Sequence, residues 1–399
     1  MTSRRKCWVS EFGVDRPPGV LRICFWLLIV CGCTESTTGP DRAAGEDSVF
    51  MESGVFAYTG EGGSRPYLSG LGSGGDDTDD GDDVGVEPAD EIWTLIVLPD
   101  TQYYAQSDPE ILESQVDWIV RTADQMNTRF VVHLGDIVNY NVEAQWKTAS
   151  AILKKLSGRV PLSLALGNHD FGVVSVSDVR SSLIDDYFTW EDLGGPENLG
   201  GRYDDTIWNA YYFFEGVNTR WLVLSLEFGP RDDVLQWADG VVGSHTDRDV
   251  VIVTHAYLYS DNSRYDDKRY GAEQSYRPNS YALQPPPEAP EQERSVNDGQ
   301  QIWDKLVSRH ANIRLVLCGH VHPDGTASLA SRGRGGNTVF QILSNYQRDV
   351  VYQGQYMDRT GYLRIMQFDE VRRRVNVYTY SPWLDHYLTD GENAFWFRL

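Results

Sequence analysis

Five short polar clusters between residues 100 and 322 carry side chains of the types that bind divalent metal ions. The clusters are Asp100-Thr101-Gln102, Gly135-Asp136, Gly167-Asn168-His169-Asp170, Thr254-His255 and Gly319-His320-Val321-His322. Their carboxylate, amide and imidazole groups are the ligands that such cations use in proteins. Together they supply enough oxygen and imidazole ligands for two metal ions.

Each cluster directly follows an apolar run that has the length and composition of a buried strand. The predicted strands cover residues 92–99, 130–134, 160–166, 250–253 and 315–318. A helical pattern over 109–126 follows the first of them, with Leu112, Val116 and Ile119 on one face. Because ligands in α/β sheets collect outside the carboxyl ends of strands, we expect the five clusters to converge on one spot.

Further patterns complete the predicted chain organisation. Helices are predicted over 143–156 and 299–310, and strands over 338–343, 362–368 and 375–380. Two long stretches, 172–206 and 257–297, have no regular pattern, and the second begins just after His255. Loops of this length in a compact domain are commonly functional. We therefore expect residues 257–297 to overhang the metal ligands.

In order, spacing and preceding strands, the clusters resemble the motif series of the calcineurin-like metallophosphoesterase family. That series is Asp-x-His, Gly-Asp-x-x-Asp/Asn, Gly-Asn-His-Glu/Asp, a single His and Gly-His-x-His. The resemblance covers residues 92–399, the predicted metallophosphoesterase domain. It implies an α/β fold with two mixed β-sheets sandwiched between helices, in four α/β/β/α layers. It also implies a phosphoesterase that uses two divalent metal ions, chosen from Mn, Fe, Zn and Mg.

The resemblance implies seven metal ligands. They are Asp136 on both ions, Asp100, Gln102 and His322 on the first, and Asn168, His255 and His320 on the second. Gln102 makes the first motif an Asp-Thr-Gln variant, because the family usually has His at this position. A neutral amide oxygen binds more weakly than imidazole and suits harder cations, so the first site is expected to be looser or to favour Mn, Mg or Ca over Zn.

The remaining motif residues are assigned roles around these ligands. The resemblance implies that hydroxide held between the two ions attacks phosphorus. His169 would act as a general acid or stabilise the transition state. Asn139 and Asp170 are expected to hold hydrogen bonds next to the ligands. Purple acid phosphatases, a branch of the family, have Tyr three residues after the bridging Asp; Asn139 stands there in this chain, which argues against their iron site.

The substrate is predicted to be a small or exposed phosphoester, with a diester slightly favoured over a monoester. Tyr103 and Tyr104, close to Asp100, are candidate substrate contacts. Arg264 and Arg269 in the 257–297 stretch are also candidates, with solvated surface as the alternative interpretation. The chain has a formal net charge of -23, which disfavours nucleic acid as a partner because a polyanion is repelled.

Two other functions are compatible with the same residues. A surface lipoprotein could retain the scaffold as a non-catalytic binding module, with Gln102 marking a decayed metal site. Against this alternative, His169 and the other ligand positions are occupied by competent residues. A metal-dependent nuclease would use the same centre, but the acidic charge argues against it.

The amino-terminal residues have the pattern of a bacterial secretory signal. Residues 23–30 are apolar, basic residues precede them, and Val30-Cys31-Gly32-Cys33 resembles a lipobox. We predict a signal segment over 1–33 with lipidation of Cys33, and a disordered acidic linker rich in Gly, Ser and Asp over 34–91. The protein would then be extracytoplasmic, either secreted or anchored to the membrane through its lipid. An uncleaved anchor or a buried apolar segment is the alternative.

Overall fold

Buried apolar runs form the centres of two β-sheets in the computed structural model, which describes residues 53–55, 92–195, 197–284, 294–322 and 324–399. The predicted signal segment, Cys33 and all of the predicted linker except 53–55 lie outside these ranges. The strands are β1 (Ser53–Val55), β2 (Ile92–Leu98), β3 (Thr128–His133), β4 (Leu162–Leu164), β5 (Leu199–Arg202), β6 (Ala210–Glu215), β7 (Arg220–Leu226), β8 (Asp249–Thr254), β9 (Ile313–Cys318), β10 (Thr326–Arg332), β11 (Thr338–Ser344), β12 (Val350–Tyr352), β13 (Gln355–Met357), β14 (Leu363–Asp369), β15 (Arg374–Ser381), β16 (His386–Leu388) and β17 (Phe395–Arg398). The helices are α1 (Gln102–Ser107), α2 (Pro109–Thr122), α3 (Glu143–Leu153), α4 (Ile184–Tyr187), α5 (Trp190–Leu193), α6 (Asp232–Ser244) and α7 (Gly299–Lys305).

The first sheet has eight strands in the order β1-β17-β15-β14-β2-β3-β4, with β16 paired to β15. Strands β2, β3 and β4 are parallel, and the other pairs are antiparallel. Strand β1 belongs to the predicted disordered linker, yet it pairs with β17. That part of the prediction is wrong, because an edge strand offers unpaired N–H and C=O groups to any extended segment that reaches it.

The second sheet has seven strands in the order β10-β11-β9-β8-β7-β6-β5. Its four central strands, β11, β9, β8 and β7, are parallel, and both edges are antiparallel. The parallel strands β8 and β9 are buried along most of their length. Strands covered on both faces read as continuous apolar runs, which is why the sequence pattern located them.

Aromatic side chains join the two sheets face to face. The Trp93 ring on β2 lies 5.3 Å from the rings of Phe214 and Trp221, which belong to β6 and β7. The Phe130 ring on β3 lies 5.2 Å from Phe214. Rings of this size remove a large apolar area from water. The interface between the sheets therefore forms the centre of the hydrophobic core.

Helices cover the outer face of each sheet. On the first sheet, Gln115 of α2 donates hydrogen bonds to two main-chain carbonyls next to β14, and the Trp118 ring lies 5.2 Å from the Tyr380 ring of β15. On the second sheet, the Trp237 ring of α6 lies 6.1 Å from the Tyr211 ring of β6. The predicted arrangement of two mixed sheets sandwiched between helices is confirmed. No helix within the described residues is long and apolar enough to cross a membrane.

Three predicted helices begin where expected but end earlier. Helix α2 ends at Thr122 and is followed by a turn in which Asn127 has a φ of 48°. Helices α3 and α7 each continue as a short 3-10 turn, Lys154–Leu156 and Val307–Arg309. The prediction that 172–206 is irregular is wrong, because α4, α5 and β5 lie within it. Within its described part, the 257–297 stretch has no α-helix or β-strand, only short 3-10 turns and isolated bridges, as predicted.

Candidate metal centre

The carboxyl ends of the parallel strands bring three of the predicted ligands into contact. Asp136 follows β3, His255 follows β8 and His320 follows β9. His255 Nε2 lies 3.2 Å from the Asp136 carboxylate and 3.1 Å from His320 Nδ1. Asn168, after β4, places its side-chain oxygen 3.2 Å from the same His255 nitrogen. All four residues are buried, so the five-loop convergence expected from the sequence has a compact core.

Main-chain carbonyls determine which imidazole nitrogens face this core. His255 Nδ1 lies 2.9 Å from the carbonyl oxygen of Leu134, and His320 Nε2 lies 2.7 Å from that of Tyr276. A carbonyl oxygen can only accept a hydrogen bond, so these two nitrogens carry the protons. In the neutral rings, His255 Nε2 and His320 Nδ1 therefore present lone pairs towards Asp136. Two lone pairs and a carboxylate at this spacing form a donor set for a cation.

The electrostatics of the buried groups favour a positive charge at the same point. Burial alone would lower the pKa of His255, but the Asp136 and Asp100 carboxylates outweigh it and raise the pKa to about 9. Burial opposes ionisation of Asp136, yet His255 and His169 hold the pKa of its carboxyl well below the ordinary value. Burial and the charge on His255 lower the pKa of His320 to about 3. The negative charge of these carboxylates can be balanced either by a proton on His255 or by a bound divalent cation.

Two glycines allow the loops to approach the carboxylates closely. A Cβ atom at Gly167 would overlap the Asp136 carboxylate, and one at Gly319 would overlap that of Asp100. The backbone of Asp136 itself is strained, with a φ of 52°, and that of His320 has a φ of 82°. Left-handed conformations at residues other than glycine cluster at functional sites. The close approach of these loops to the two carboxylates therefore requires glycine at positions 167 and 319.

Asp100 lies next to this core and is held by hydrogen bonds. The main-chain N–H of His320 donates to its carboxylate at 3.1 Å. Asn345 Nδ2 donates to the same carboxylate at 2.9 Å. Burial raises the pKa of Asp100 to about 7, and the positive charge of His255 opposes this only in part. Asn345 directly follows the parallel strand β11, so the strand-end rule used for the other clusters also points to it, although we did not predict it from the sequence.

The environment of the Gln102 side chain shows whether the residues of this site fit a bound cation. Its side chain is buried, and its Oε1 atom has no hydrogen-bond partner among the described residues. Buried acceptors normally have a partner, so an unpaired amide oxygen two residues after Asp100 suits a metal ligand. His322 is half-buried, and Asp136 and His169 are close enough to affect its pKa, which burial lowers. The donor set present therefore fits divalent cations bound through oxygen and imidazole.

His169 lies at the exposed side of the centre. Its Nδ1 is 2.8 Å from the carbonyl oxygen of Asn139, and its main-chain N–H donates to the Asp136 carboxylate at 2.9 Å. The first contact holds the proton on Nδ1 in the neutral ring, and Nε2 has no hydrogen bond to any of the described residues. Asn139 thus acts through its main chain, because its side chain donates to Gln106.

Asp170 joins the loops that follow β3 and β4. Its carboxylate accepts hydrogen bonds from the main-chain N–H groups of Ile137, Val138 and Gly167, at 2.8–3.0 Å. These two loops carry Asp136 and Asn168. The carboxylate is buried and therefore fixes the relative positions of two predicted metal ligands, which agrees with the hydrogen-bonding role expected for it.

Two of the four candidate substrate contacts are wrong. Tyr104 is buried in the core, where its hydroxyl accepts a hydrogen bond from Gly361 N–H. Arg264 is buried, donates to Gln341 and lies 3.8 Å over the Trp303 ring. Both side chains are directed into the protein because their partners come from distant strands and helices. Tyr103 is half-buried, and Arg269 is exposed with its guanidinium 4.9 Å from the Tyr270 ring. Their contact with substrate stays a prediction.

The sequence of the domain agrees with this geometry. Residues 94–324 match the family model described as calcineurin-like phosphoesterase, and this match covers more than half of the chain. The chain belongs to the calcineurin-like phosphoesterase family. Within this family domain, the buried Asp136, His255 and His320 form a group that could hold a metal ion.

Comparisons with individual proteins place this calcineurin-like phosphoesterase among distant relatives. It is 28% identical over 314 residues to the uncharacterized protein YvnB of Bacillus subtilis (strain 168), a match that covers 76% of this chain and 21% of that protein. The chain thus spans about a fifth of the length of this relative. A purple acid phosphatase from yellow lupin (Lupinus luteus) seeds superposes with a TM-score of 0.43 and 12% identity, over 77% of this chain and 54% of the other. GAP50, the anchor in the inner membrane complex of Plasmodium, superposes with a TM-score of 0.42 and 11% identity, over 76% and 90%.

A buried ion-pair cluster lies next to Phe228, a residue that packs against His255. Glu227, directly after β7, lies 3.0 Å from the Arg180 guanidinium and 2.9 Å from that of Arg231. Arg180 also donates to the carbonyl oxygen of Phe228, whose ring lies 6.0 Å from the His255 ring. Burial disfavours the Glu227 carboxylate, but the two arginines outweigh it and hold its pKa below the ordinary value. The cluster was not predicted from the sequence.

We expect Glu227→Gln to lower the free energy of unfolding by about 3–5 kcal/mol, because it leaves two guanidinium groups beside a neutral partner in the interior. Urea titration followed by circular dichroism would measure the change. Glu215→Gln is the matched control, since Glu215 pairs with Arg248 but its side chain is 61% exposed. That variant should lose no more than about 1 kcal/mol. Equal losses in the two variants would contradict a special role for the buried cluster.

Proposed function

We propose that this protein hydrolyses a phosphoester with two divalent metal ions, and that Asp136 would be a ligand of both. The observation that carries the proposal is the convergence of the Asp136 carboxylate with His255 Nε2 and His320 Nδ1, at 3.1–3.2 Å around His255 Nε2. Asn168 would complete the ligands of this ion. Asp100, Gln102 and His322 would bind the other ion, the first of the two named above, and Asp136 would contribute to that site as well. When bound, the ions would generate a nucleophile from water and neutralise charge that develops on the phosphoryl oxygens.

The protein side chains would position the substrate and move the proton. His169 Nδ1 contacts the Asn139 carbonyl, so Nε2 is the ring nitrogen left for a substrate among the described contacts. From there it would donate a proton to the leaving oxygen or stabilise its charge. Asp170 and Asn345 would keep the two halves of the ligand set in register through their hydrogen bonds.

We infer that a phosphodiester is preferred to a monoester. A cavity of about 170 Å³ beside Asn345 is lined by four carboxylates and one guanidinium. These are Asp324, Asp349, Asp390, Glu392 and Arg348. A diester carries one negative charge, whereas a monoester carries close to two at neutral pH. The acidic wall therefore repels a monoester more strongly, and it also repels long polyanions such as nucleic acids.

Hydrolysis of bis-p-nitrophenyl phosphate and p-nitrophenyl phosphate by the full chain tests this function. The chain is first stripped of metal with a chelator and then supplied with Mn, Mg, Zn or Fe. We expect turnover that depends on added metal, with a higher kcat/KM for the diester. Metal binding without turnover of either compound would favour the alternative of a non-catalytic binding module.

Replacement of Gln102 tests the assignment of the first metal site. We expect Gln102→His to shift the ratio of the Zn and Mn dissociation constants by about tenfold in favour of Zn, because imidazole is a softer ligand than an amide oxygen. Calorimetric titration of the metal-free protein with each ion would measure both constants. Gln115→His serves as the control, since Gln115 is also buried but donates to main-chain carbonyls of residues 361 and 362. An unchanged ratio in Gln102→His would remove Gln102 from the ligand set.

We further propose that the protein is an extracytoplasmic lipoprotein of bacteria, held at the membrane through Cys33. The support is the apolar run over 23–30 followed by the Val30-Cys31-Gly32-Cys33 sequence. Labelling with a radioactive fatty acid would test it. Label should enter the wild-type chain and not Cys33→Ser, whereas equal labelling of both would overturn the assignment.

A further inference from the structure

Tyr276 places an exposed aromatic ring at the edge of the metal centre. Its ring centroid lies 5.7 Å from that of His322 and 6.3 Å from that of His320. The residue is 48% exposed, although most large apolar side chains near the centre are buried. Its φ is 58°, a conformation that is uncommon for a bulky residue. An exposed ring on a strained backbone next to reactive groups points to a binding role.

The segment around Tyr276 is fixed by three neighbouring contacts. His320 Nε2–H donates to the carbonyl oxygen of Tyr276 at 2.7 Å. The Tyr265 hydroxyl donates to the carbonyl oxygen of Ser275 at 3.0 Å. The Arg277 guanidinium pairs with Asp267. Because residues 275–277 are already ordered, the ring can bind a partner without the entropic cost of ordering a mobile loop.

Tyr281 provides an informative contrast on the same stretch. Its ring lies 6.2 Å from the His320 ring, but its neighbour Phe228 meets it edge-on at 5.2 Å and 90°. Burial and the nearby Asp136 carboxylate raise the pKa of its hydroxyl, which therefore stays protonated. Tyr281 thus packs into the wall of the site. Tyr276 keeps half of its surface free.

We propose that Tyr276 determines specificity by stacking on a planar aromatic group attached to the phosphorus centre of the substrate. The inference rests on the proposed function and names a substrate class for it, namely phosphoesters that carry an aryl ring or a nucleobase. Aromatic rings prefer offset-stacked or edge-to-face contact, which an alkyl group of equal size cannot reproduce. Stacking of this kind corresponds to about a two- to tenfold difference in affinity.

Binding of two matched phosphonates to the Mn-loaded full chain tests the proposal by calorimetry. Monomethyl phenylphosphonate and monomethyl cyclohexylphosphonate each carry one negative charge and a six-membered ring, but only the first ring is aromatic. Wild type and Tyr276→Phe should bind the phenyl compound about two- to tenfold more tightly than the cyclohexyl compound. Tyr276→Leu should lose this preference. An equal preference in wild type and Tyr276→Leu would overturn the proposal.

Two controls separate the ring from the rest of the site. Every Tyr276 variant keeps the carbonyl oxygen that orients His320, so metal content should be unchanged. Tyr356→Leu removes another exposed tyrosine, 79% exposed on β13, and should leave the preference intact.

The methylphosphonate ester of thymidine distinguishes the source of the aromatic group: tighter binding than the phenyl compound indicates a nucleobase, and weaker binding indicates a simple aryl ring. A binding preference without hydrolysis would contradict the proposed function while supporting the stacking role.

Discussion

The Asp136→Asn protein is expected to lose turnover by about a thousandfold or more and to bind less metal than the wild type. The carboxylate of Asp136 lies 3.2 Å from His255 Nε2 and remains ionised, because neighbouring imidazoles hold its pKa well below the ordinary value. Asn has nearly the same shape but no charge, so the change removes attraction for cations without creating a cavity. Metal ions contribute several kcal/mol to stabilisation of the transition state, which corresponds to a factor of about 10³ in rate.

Metal analysis by mass spectrometry and a kcat measurement on the same preparation would check this expectation. Asp117→Asn provides a matched control, because Asp117 is half-exposed on α2 and pairs with Lys155 at 2.9 Å. Its metal content and kcat should equal those of the wild type. Full metal content together with wild-type kcat in Asp136→Asn would contradict a bridging role for this carboxylate.

The centre could be located from the sequence because its residues obey a local rule. Each ligand follows a buried parallel strand, and such strands are visible as apolar runs. Asp136, Asn168, His255 and His320 follow this rule, and the structure brings them within contact distance. The same rule applies to Asn345 after β11, so the contact of this residue with Asp100 was also within reach of the sequence.

Residues on irregular segments could not be placed in this way. Arg264 and Tyr276 lie on the same stretch after His255, yet the first is buried against Trp303 and the second is exposed beside His322. Their directions depend on hydrogen bonds to partners distant in sequence, such as Gln341 for Arg264 and His320 for Tyr276. No local pattern encodes such contacts. The substrate contacts were therefore the least accurate part of the prediction.

Secondary structure shows a similar division between local and distant causes. Helix α6 buries Val234, Leu235, Ala238 and Val242 on one face, a spacing that is readable in the sequence although no helix was predicted there. Strand β1 has only three residues, and it exists because β17 offers an edge for pairing. Short elements of this kind depend on their neighbours, whereas long amphipathic ones are specified by their own residues.

The His169→Ala protein is expected to keep its metal ions but to lose about 10²–10⁴-fold in kcat for substrates with a basic leaving group. Metal should remain because, among the described residues, the side chain makes its hydrogen bond to the Asn139 carbonyl, through Nδ1 at 2.8 Å, and not to a predicted ligand. The contact with Asp136 comes from the main-chain N–H of residue 169, which alanine retains. The Nε2 atom is thus available for the substrate, and its loss affects chemistry without disturbing the ligands.

Comparison of leaving groups separates the two roles proposed for His169. A p-nitrophenolate departs without a proton, whereas an alkoxide of high basicity requires one, so general acid catalysis predicts a much smaller loss for p-nitrophenyl than for alkyl diesters. An equal loss for both classes would instead assign stabilisation of charge in the transition state. His245→Ala is the matched control, because its Nδ1 also lies 2.8 Å from a main-chain carbonyl, that of Val241, on helix α6. If His169→Ala and His245→Ala both retain wild-type kcat for every leaving group, neither role applies, and proton transfer to the leaving oxygen must come from a group other than His169.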